Sequence, residues 1–440
     1  MTHILRIETE WLDAADDDPV DKATFAELSV ITNGHSITEL EDLIARTTRS
    51  GMRGSAYRLA YWIAENWWRL RWEPEGSSPN WRLAHDTAAV GGGYAWPDLR
   101  FASDGLHVLI EAKATSAQQV APVRYLGSLP VQVTAEAFEV GIDDFVERVL
   151  ARLSSFNALR SELASLWGEV RSERASEDAY VVRQLEALLG FDAGEAPEKL
   201  MQGLLESMGR AGRRAVNEMA AAGKGNAEQL IRDTLESAEA SDIMIRLTSI
   251  PAVQSIFRKQ ADMKALPWQR AKLAAQLARD AWGVPKGPVS NEALSDLLEL
   301  PKERLEAGPG GALGVAAGLR RNGGDDAVSV VQRAKASTSR RFEIMRLVAD
   351  HIVTPAEDHL LPITMAKTDR QKFQRAFAAE FLLPFDELYE QLDKPTFADD
   401  EIREDEIEDV AAQYQVSPLM VRTSLVNRGV LPREVLAPAS

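Results

Sequence analysis

The chain contains no cysteine, which excludes disulfides, thiolate metal sites and a cysteine nucleophile. It has no apolar run near the roughly 18 residues a membrane-spanning helix needs. Its first residues, MTHILRIETEWLD, lack the basic start, apolar centre and small-residue cleavage site of a secretory signal. A soluble, cytoplasmic protein with no membrane partner is therefore expected. Positive charge is also short. Lys and Arg number 50 against 67 Asp and Glu, and the formal charge of −17 opposes general adhesion to nucleic acid. Any DNA contact has to be local.

What is present is ordinary globular usage, with 45% hydrophobic and 27% charged residues. The length of 440 residues exceeds a usual single domain about two- to threefold, so two to four domains are expected. Seven of the ten tryptophans fall in the first hundred residues and set that region apart from the Ala-, Glu- and Leu-rich remainder. Ile4, Ile7 and Trp11, and then Phe25 to Thr32, have strand character, the second run ending at the turn pair Asn33-Gly34. Ser55 is placed to cap a helix whose Leu59, Ile63, Trp67 and Leu70 form an apolar stripe. Residues from Ile142 to about Leu266 carry helical periodicity throughout. Further on, strand-like runs around Asn322-Gly323-Gly324 predict a second hairpin, and helices are expected near Arg341–Ile352 and Asp369–Leu382. A final helix is punctuated by Ser417, Pro418 and Gly429.

Between the first-domain helix and residue 114, Trp96–Phe101 and Leu106–Ala114 flank Asp104-Gly105 and predict a hairpin. If Asp104-Gly105 is a two-residue turn, Leu99 pairs with Ile110 and Asp98 with Glu111. Asp98, Glu111 and Lys113 then share one face, and directly opposed carboxylates about 5 Å apart repel unless a cation joins them. Pro97-Asp98, twelve residues, then Glu111-Ala112-Lys113 is similar to the PD-(D/E)xK pattern of the restriction-endonuclease-like superfamily. That resemblance implies catalytic Asp98, Glu111 and Lys113, with magnesium as cofactor for phosphodiester hydrolysis. Arg100 lies beside Glu111 on the same face, so an ordinary cross-strand ion pair is the competing reading.

The C-terminal third carries a second set of ordered pieces: Pro267–Trp282, the hairpin around Asn322, Arg340-Arg341-Phe342-Glu343-Ile344, Phe377-Ala378-Ala379-Glu380-Phe381-Leu382-Leu383-Pro384 and Val416–Leu431. Together they resemble the ImmA/IrrE metallopeptidase family, in which a zinc peptidase cleaves a DNA-binding repressor in response to stress or mobile-element signals. The family's H-E-x-x-H places two imidazoles on one helix face with a glutamate to activate water. Here Arg346, Leu347 and Asp350 stand at those former metal-site positions, and Gln371, Lys372 and Phe373 stand where the acidic third ligand belongs. His351 and His359, eight apart, are too far for helical ligand spacing. No zinc and no peptidase activity are expected. Arg346 and Asp350, four apart, are expected to face one another as an ion pair, closing a former metal pocket or lying exposed.

The expected architecture is α+β and multi-domain. It comprises an N-terminal small sheet with a Trp-rich helix (1–140), an all-α connector (141–265), a degenerate ImmA/IrrE-like domain (266–395) and a helix-turn-helix-like extension (396–440). The function expected first is a bacterial regulatory, stress or phage-defence protein whose peptidase-like domain recognises a protein partner and needs no cofactor. A magnesium-dependent nuclease is the alternative. A DNA-binding regulator is a further one, in which Arg422, Thr423, Asn427 and Arg428 touch DNA, although the acidic helix ahead of them favours a packing role.

Overall fold

The computed structural model describes residues 4–13, 18–119, 121–156, 162–247, 250–284, 286–321, 327–392 and 402–436. Helices and small antiparallel sheets make a mixed α+β chain, and it divides into two compact units, Met1–Met201 and Gln202–Ser440. Among the described residues no helix is long and apolar enough to cross a membrane.

The first unit contains β1 (Leu5–Trp11), α1 (Pro19–Ala23), β2 (Phe25–Thr32), β3 (His35–Ser36), β4 (Leu40–Asp42), β5 (Thr47–Arg49) and β6 (Met52–Ser55). There follow α2 (Ala56–Trp72), α3 (Pro79–His85), β7 (Leu99–Ser103), β8 (His107–Ala112), β9 (Val123–Tyr125), β10 (Val131–Thr134), α4 (Ala135–Ser155), α5 (Glu162–Ala175) and α6 (Glu177–Leu189). Three sheets result: β1-β2-β3 with β6 also on β2, then β10-β8-β7, then β5-β4-β9. Asn33 (φ 53°) and Gly34 (φ 81°) make the expected turn, with Thr32 opposite His35. The Ser55 hydroxyl accepts from the Arg58 amide at 3.3 Å and starts α2. The α2 stripe is core: Leu59, Ile63, Trp67 and Leu70 are buried, and Trp67 meets Trp167 edge-on at 5.5 Å. Burying an indole of about 200 Å² contributes on the order of 5 kcal/mol before entropy is subtracted.

The second unit contains α7 (Glu198–Ala211), which crosses the boundary between the units, α8 (Arg213–Gly223), α9 (Ala227–Glu239), β11 (Met244–Arg246), α10 (Ile250–Gln260), α11 (Pro267–Ala281) and α12 (Asn291–Leu298). Then come β12 (Ala316–Arg320), β13 (Ala327–Val331), α13 (Ser337–Val353), β14 (Leu360–Ile363), α14 (Asp369–Leu382), α15 (Phe385–Gln391), α16 (Glu404–Tyr414) and α17 (Pro418–Asn427). One antiparallel sheet, β11-β13-β12-β14, packs with α13 and α14 around a single apolar core. The second hairpin is present as β12 and β13, while its Asn322-Gly323-Gly324 turn lies outside the described residues.

Two expectations change. The stretch from 141 to 265 is neither all-α nor a separate body. Ile142, Phe145 and Val149 of α4 complete the first core, whereas Ile245, Val253 and Phe257 belong to the second. Met244–Arg246 pairs with β13, a strand too short to show a period of its own and formed because the sheet offers it an edge.

Candidate functional site

In the β7–β8 hairpin the two-residue turn is replaced by a longer connection. The Asp104 carboxylate accepts from the amides of Leu106 (3.1 Å) and His107 (2.8 Å), and Ser103 pairs with Val108. This local side-chain turn shifts the register by two residues. Leu99 therefore faces Ala112, and Glu111 faces Arg100 instead of Asp98. The Lys113 amide donates to the Asp98 carbonyl at 2.9 Å. A slip of two preserves the face, because side chains alternate with period two. Asp98, Glu111 and Lys113 do share one side, opposite buried Leu99, Phe101, Val108 and Ile110.

Arg100 occupies the middle of that side. Its Nε donates to Asp86 Oδ2 at 3.1 Å and its Nη2 lies 3.2 Å from Asp98 Oδ1. Asp86 reaches it through an isolated bridge to β7. Burial raises the Asp86 carboxyl above the usual range, and the nearby Asp98 adds to the effect. The guanidinium thus supplies the cation that the acids require. Glu111 and Lys113 also line an open, shallow cleft of about 560 Å³ together with Leu126, Gly127 and Ser128. Gly127 is needed there: its φ is +73°, and a Cβ would sit 2.6 Å from the Ala114 amide nitrogen. Asp86 was invisible to sequence reasoning because nothing in its spacing ties it to Arg100.

In the second unit, Arg346, Leu347 and Asp350 are all buried on α13. The expected Arg346–Asp350 pair does not form. Both side chains reach across to α14 instead, since a buried charge gains more from a preorganised partner on the facing helix. Asp350 receives Nε and Nη2 of Arg370, each at 2.6 Å, and the Thr354 hydroxyl at 3.2 Å. Burial works against the charge of Arg370, but Asp350 more than offsets it and its pKa is raised. Arg346 Nη2 donates to the Thr364 carbonyl (2.8 Å), Gln371 Oε1 (2.6 Å) and Gln374 Oε1 (3.3 Å). Both glutamines in turn donate to the Pro362 carbonyl, at 3.0 and 3.1 Å. Leu347 packs where Gly318 leaves room, a Cβ at that glycine lying 2.5 Å from Leu347 Cδ1.

These residues do not fit zinc. One is a cation, one has no donor atom, and the one carboxylate is held in a bidentate pair. Nearby, His351 Nδ1 accepts from Arg320 Nε at 3.2 Å, and burial together with Arg320 pulls its pKa down to about 4. Arg370 and Gln374, missed in the sequence, sit one turn apart on α14. Only the register of two packed helices could reveal them.

Among the residues expected to touch DNA, Arg422 bonds to Glu404 of the preceding helix. Arg428 lies 3.8 Å from Glu380 and stacks over Phe385 at 4.7 Å. The Thr423 hydroxyl donates to the Leu419 carbonyl, and Asn427 is exposed at the end of α17. Ile407, Val410, Tyr414, Val421 and Leu425 join the second core, so the pair is built for packing.

The fold and these sites define a two-unit α+β protein with a polar hairpin cleft in one unit and a closed, charged helix pair in the other. Comparison with family models, curated proteins and solved structures finds no match to the chain.

Proposed function

We propose that the second unit acts by contact, as the recognition or sensing module of a regulatory or defence protein, and does not cut peptides. One observation supports this above all. The positions where the ImmA/IrrE resemblance implies metal ligands hold Arg346, Leu347 and Asp350; Arg346 Nη2 is spent on Gln371, Gln374 and Thr364, and Asp350 on Arg370. A frame kept while its chemistry is replaced by internal hydrogen bonds is consistent with binding retained and catalysis lost. The test is elemental analysis and peptide cleavage on the full chain, together with cross-linking to protein partners in native extract. The expected result is no stoichiometric zinc, no chelator-sensitive cleavage, and cross-links clustered on the second unit. Stoichiometric zinc with chelator-sensitive scission overturns the reading.

A second reading has its own observation. Glu111 and Lys113 line the cleft of the first unit, and Asp98 lies diagonal to Glu111 across the hairpin, roughly 7 Å away along the backbone. With Arg100 swung aside, two such carboxylates can share one magnesium ion, and Lys113 is placed to position water. This supports a regulated nuclease, and magnesium-dependent nicking lost in Glu111→Ala tests it.

A further inference from the structure

We propose that His85 is a proton-operated latch in the first unit. As an imidazolium it ties the end of α3 to the end of α2 and to β7, and loss of one ring proton releases that end together with the hold of Asp86 on Arg100. The inference needs neither the nuclease reading nor the peptidase resemblance.

His85 closes α3, and its side chain is fully buried. Its Nδ1 lies 2.8 Å from the Phe101 carbonyl oxygen and its Nε2 3.1 Å from Glu73 Oε2. A carbonyl oxygen only accepts hydrogen bonds, and so does an ionised carboxylate. A neutral imidazole has one N–H and one lone pair, so either tautomer would turn a lone pair on one of these oxygens. Glu73 is kept ionised by Arg69, whose Nε donates to the same Oε2 at 2.8 Å. Both ring nitrogens therefore have to donate, and the ring carries a charge. Burial opposes that charge. The carboxylate offsets it, as does the Trp81 indole, which lies nearly parallel to the ring (7°) with centroids 4.3 Å apart.

The charges around the ring balance. Arg69 also donates to Asp192 Oδ1 at 3.0 Å, so Arg69 and His85 answer Glu73 and Asp192. Arg82 on α3 and Glu75 ahead of it are exposed, and β7 contributes Arg100. Asp86, just past α3, accepts from Arg100 Nε at 3.1 Å and pairs with the same residue through the isolated bridge. Consecutive residues at the end of α3 thus grip consecutive residues of β7. Removing either ring proton leaves a lone pair facing an oxygen in a buried site, which costs about as much as the lost bond contributed. The end of α3 then loses an anchor. The Asp86–Arg100 pair loosens with it, and Arg100 is the cation that Asp98 shares.

The imidazole nitrogen spectrum of the full chain with isotope-labelled histidine tests the latch, His85→Gln identifying the ring among the six histidines. At pH 7 both ring nitrogens of His85 are expected to carry hydrogen. In Glu73→Gln the introduced carboxamide can donate to a bare Nε2, so the ring is expected to be neutral there, with hydrogen on Nδ1 alone. This variant keeps the imidazole in place, and if His85→Gln does not fold, the signal that Glu73→Gln changes marks the ring. In the parent, the protection of 79–89 against amide hydrogen exchange is expected to fall about tenfold as the ring titrates with rising pH, the loss of about one hydrogen bond. In Glu73→Gln the same protection is expected not to follow pH. A bare ring nitrogen in the parent at pH 7, an imidazolium that survives Glu73→Gln, or protection of 79–89 that ignores the titration of the ring would each overturn the proposal.

Discussion

At the residue scale, a buried ion pair, Asp350 with Arg370, ties α13 to α14. The aspartate is fully buried and the arginine side chain nearly so. Removing one member of such a pair strands the other charge and typically costs about 3–5 kcal/mol, while replacing both with apolar groups is often close to neutral. Asp350→Ala is therefore expected to lose about 3 kcal/mol or more in urea unfolding, and Asp350→Ala with Arg370→Met to recover only part of that loss, because Arg370 also offsets the charges of Glu218 and Asp358. A single variant within about 1 kcal/mol of the parent would show that the pair is not the lock its geometry describes. The sequence placed Asp350 on the correct helix but gave it the wrong partner. Spacing along one helix names candidates at i+4, and only tertiary packing brings the facing helix closer.

At the scale of elements, what could be read in the sequence was local. Asn33-Gly34, Ser55 and the Ser417-Pro418-Gly429 frame all act within a few residues of themselves, and each appears where its chemistry put it. The β7–β8 register shifted because one carboxylate, Asp104, made its own turn, and β11 was missed because its reason lies in a neighbouring strand. The end of α13 likewise depends on a distant strand. From β12, Arg320 donates to the carbonyls of His351 (3.4 Å), Thr354 (3.0 Å), Pro355 and Asp358 (3.2 Å), and its Nε needs His351 to be neutral. His351 has a folded pKa of about 4 against an ordinary 6.5. The unfolded chain thus binds the extra proton first, and stability present above about pH 6.5 is lost as pH falls towards 4. The loss amounts to about 3 kcal/mol across that window. Unfolding of the parent and of His351→Gln at pH 7 and pH 4.5 checks this: the variant, whose side-chain oxygen can still accept from Arg320, is expected to lose less. Equal losses would remove His351 as the cause.

At the scale of the whole molecule, the charge of −17 limits what the first unit can do with nucleic acid. Lys113 lines the cleft, and Arg100, which faces Glu111 across the hairpin, is already shared by Asp86 and Asp98. Composition and spacing made the hairpin face legible, but not this ion pairing, because Asp86 enters from outside the motif. If the cleft engages a phosphodiester, it does so through about two or three phosphate contacts. Each contributes a slope of roughly −0.9 in log affinity against log salt. Duplex affinity, followed by fluorescence anisotropy, is then expected to fall only about ten- to a hundredfold between 50 and 200 mM salt. Magnesium-dependent nicking is expected to follow the same modest dependence and to vanish in Glu111→Ala at both concentrations. A slope of six or more contacts would mean that DNA is held by an extended basic surface, contrary to the acidic balance of the chain. Nicking that survives Glu111→Ala would leave the hairpin face as an ion-paired surface, with Arg100 as its permanent cation.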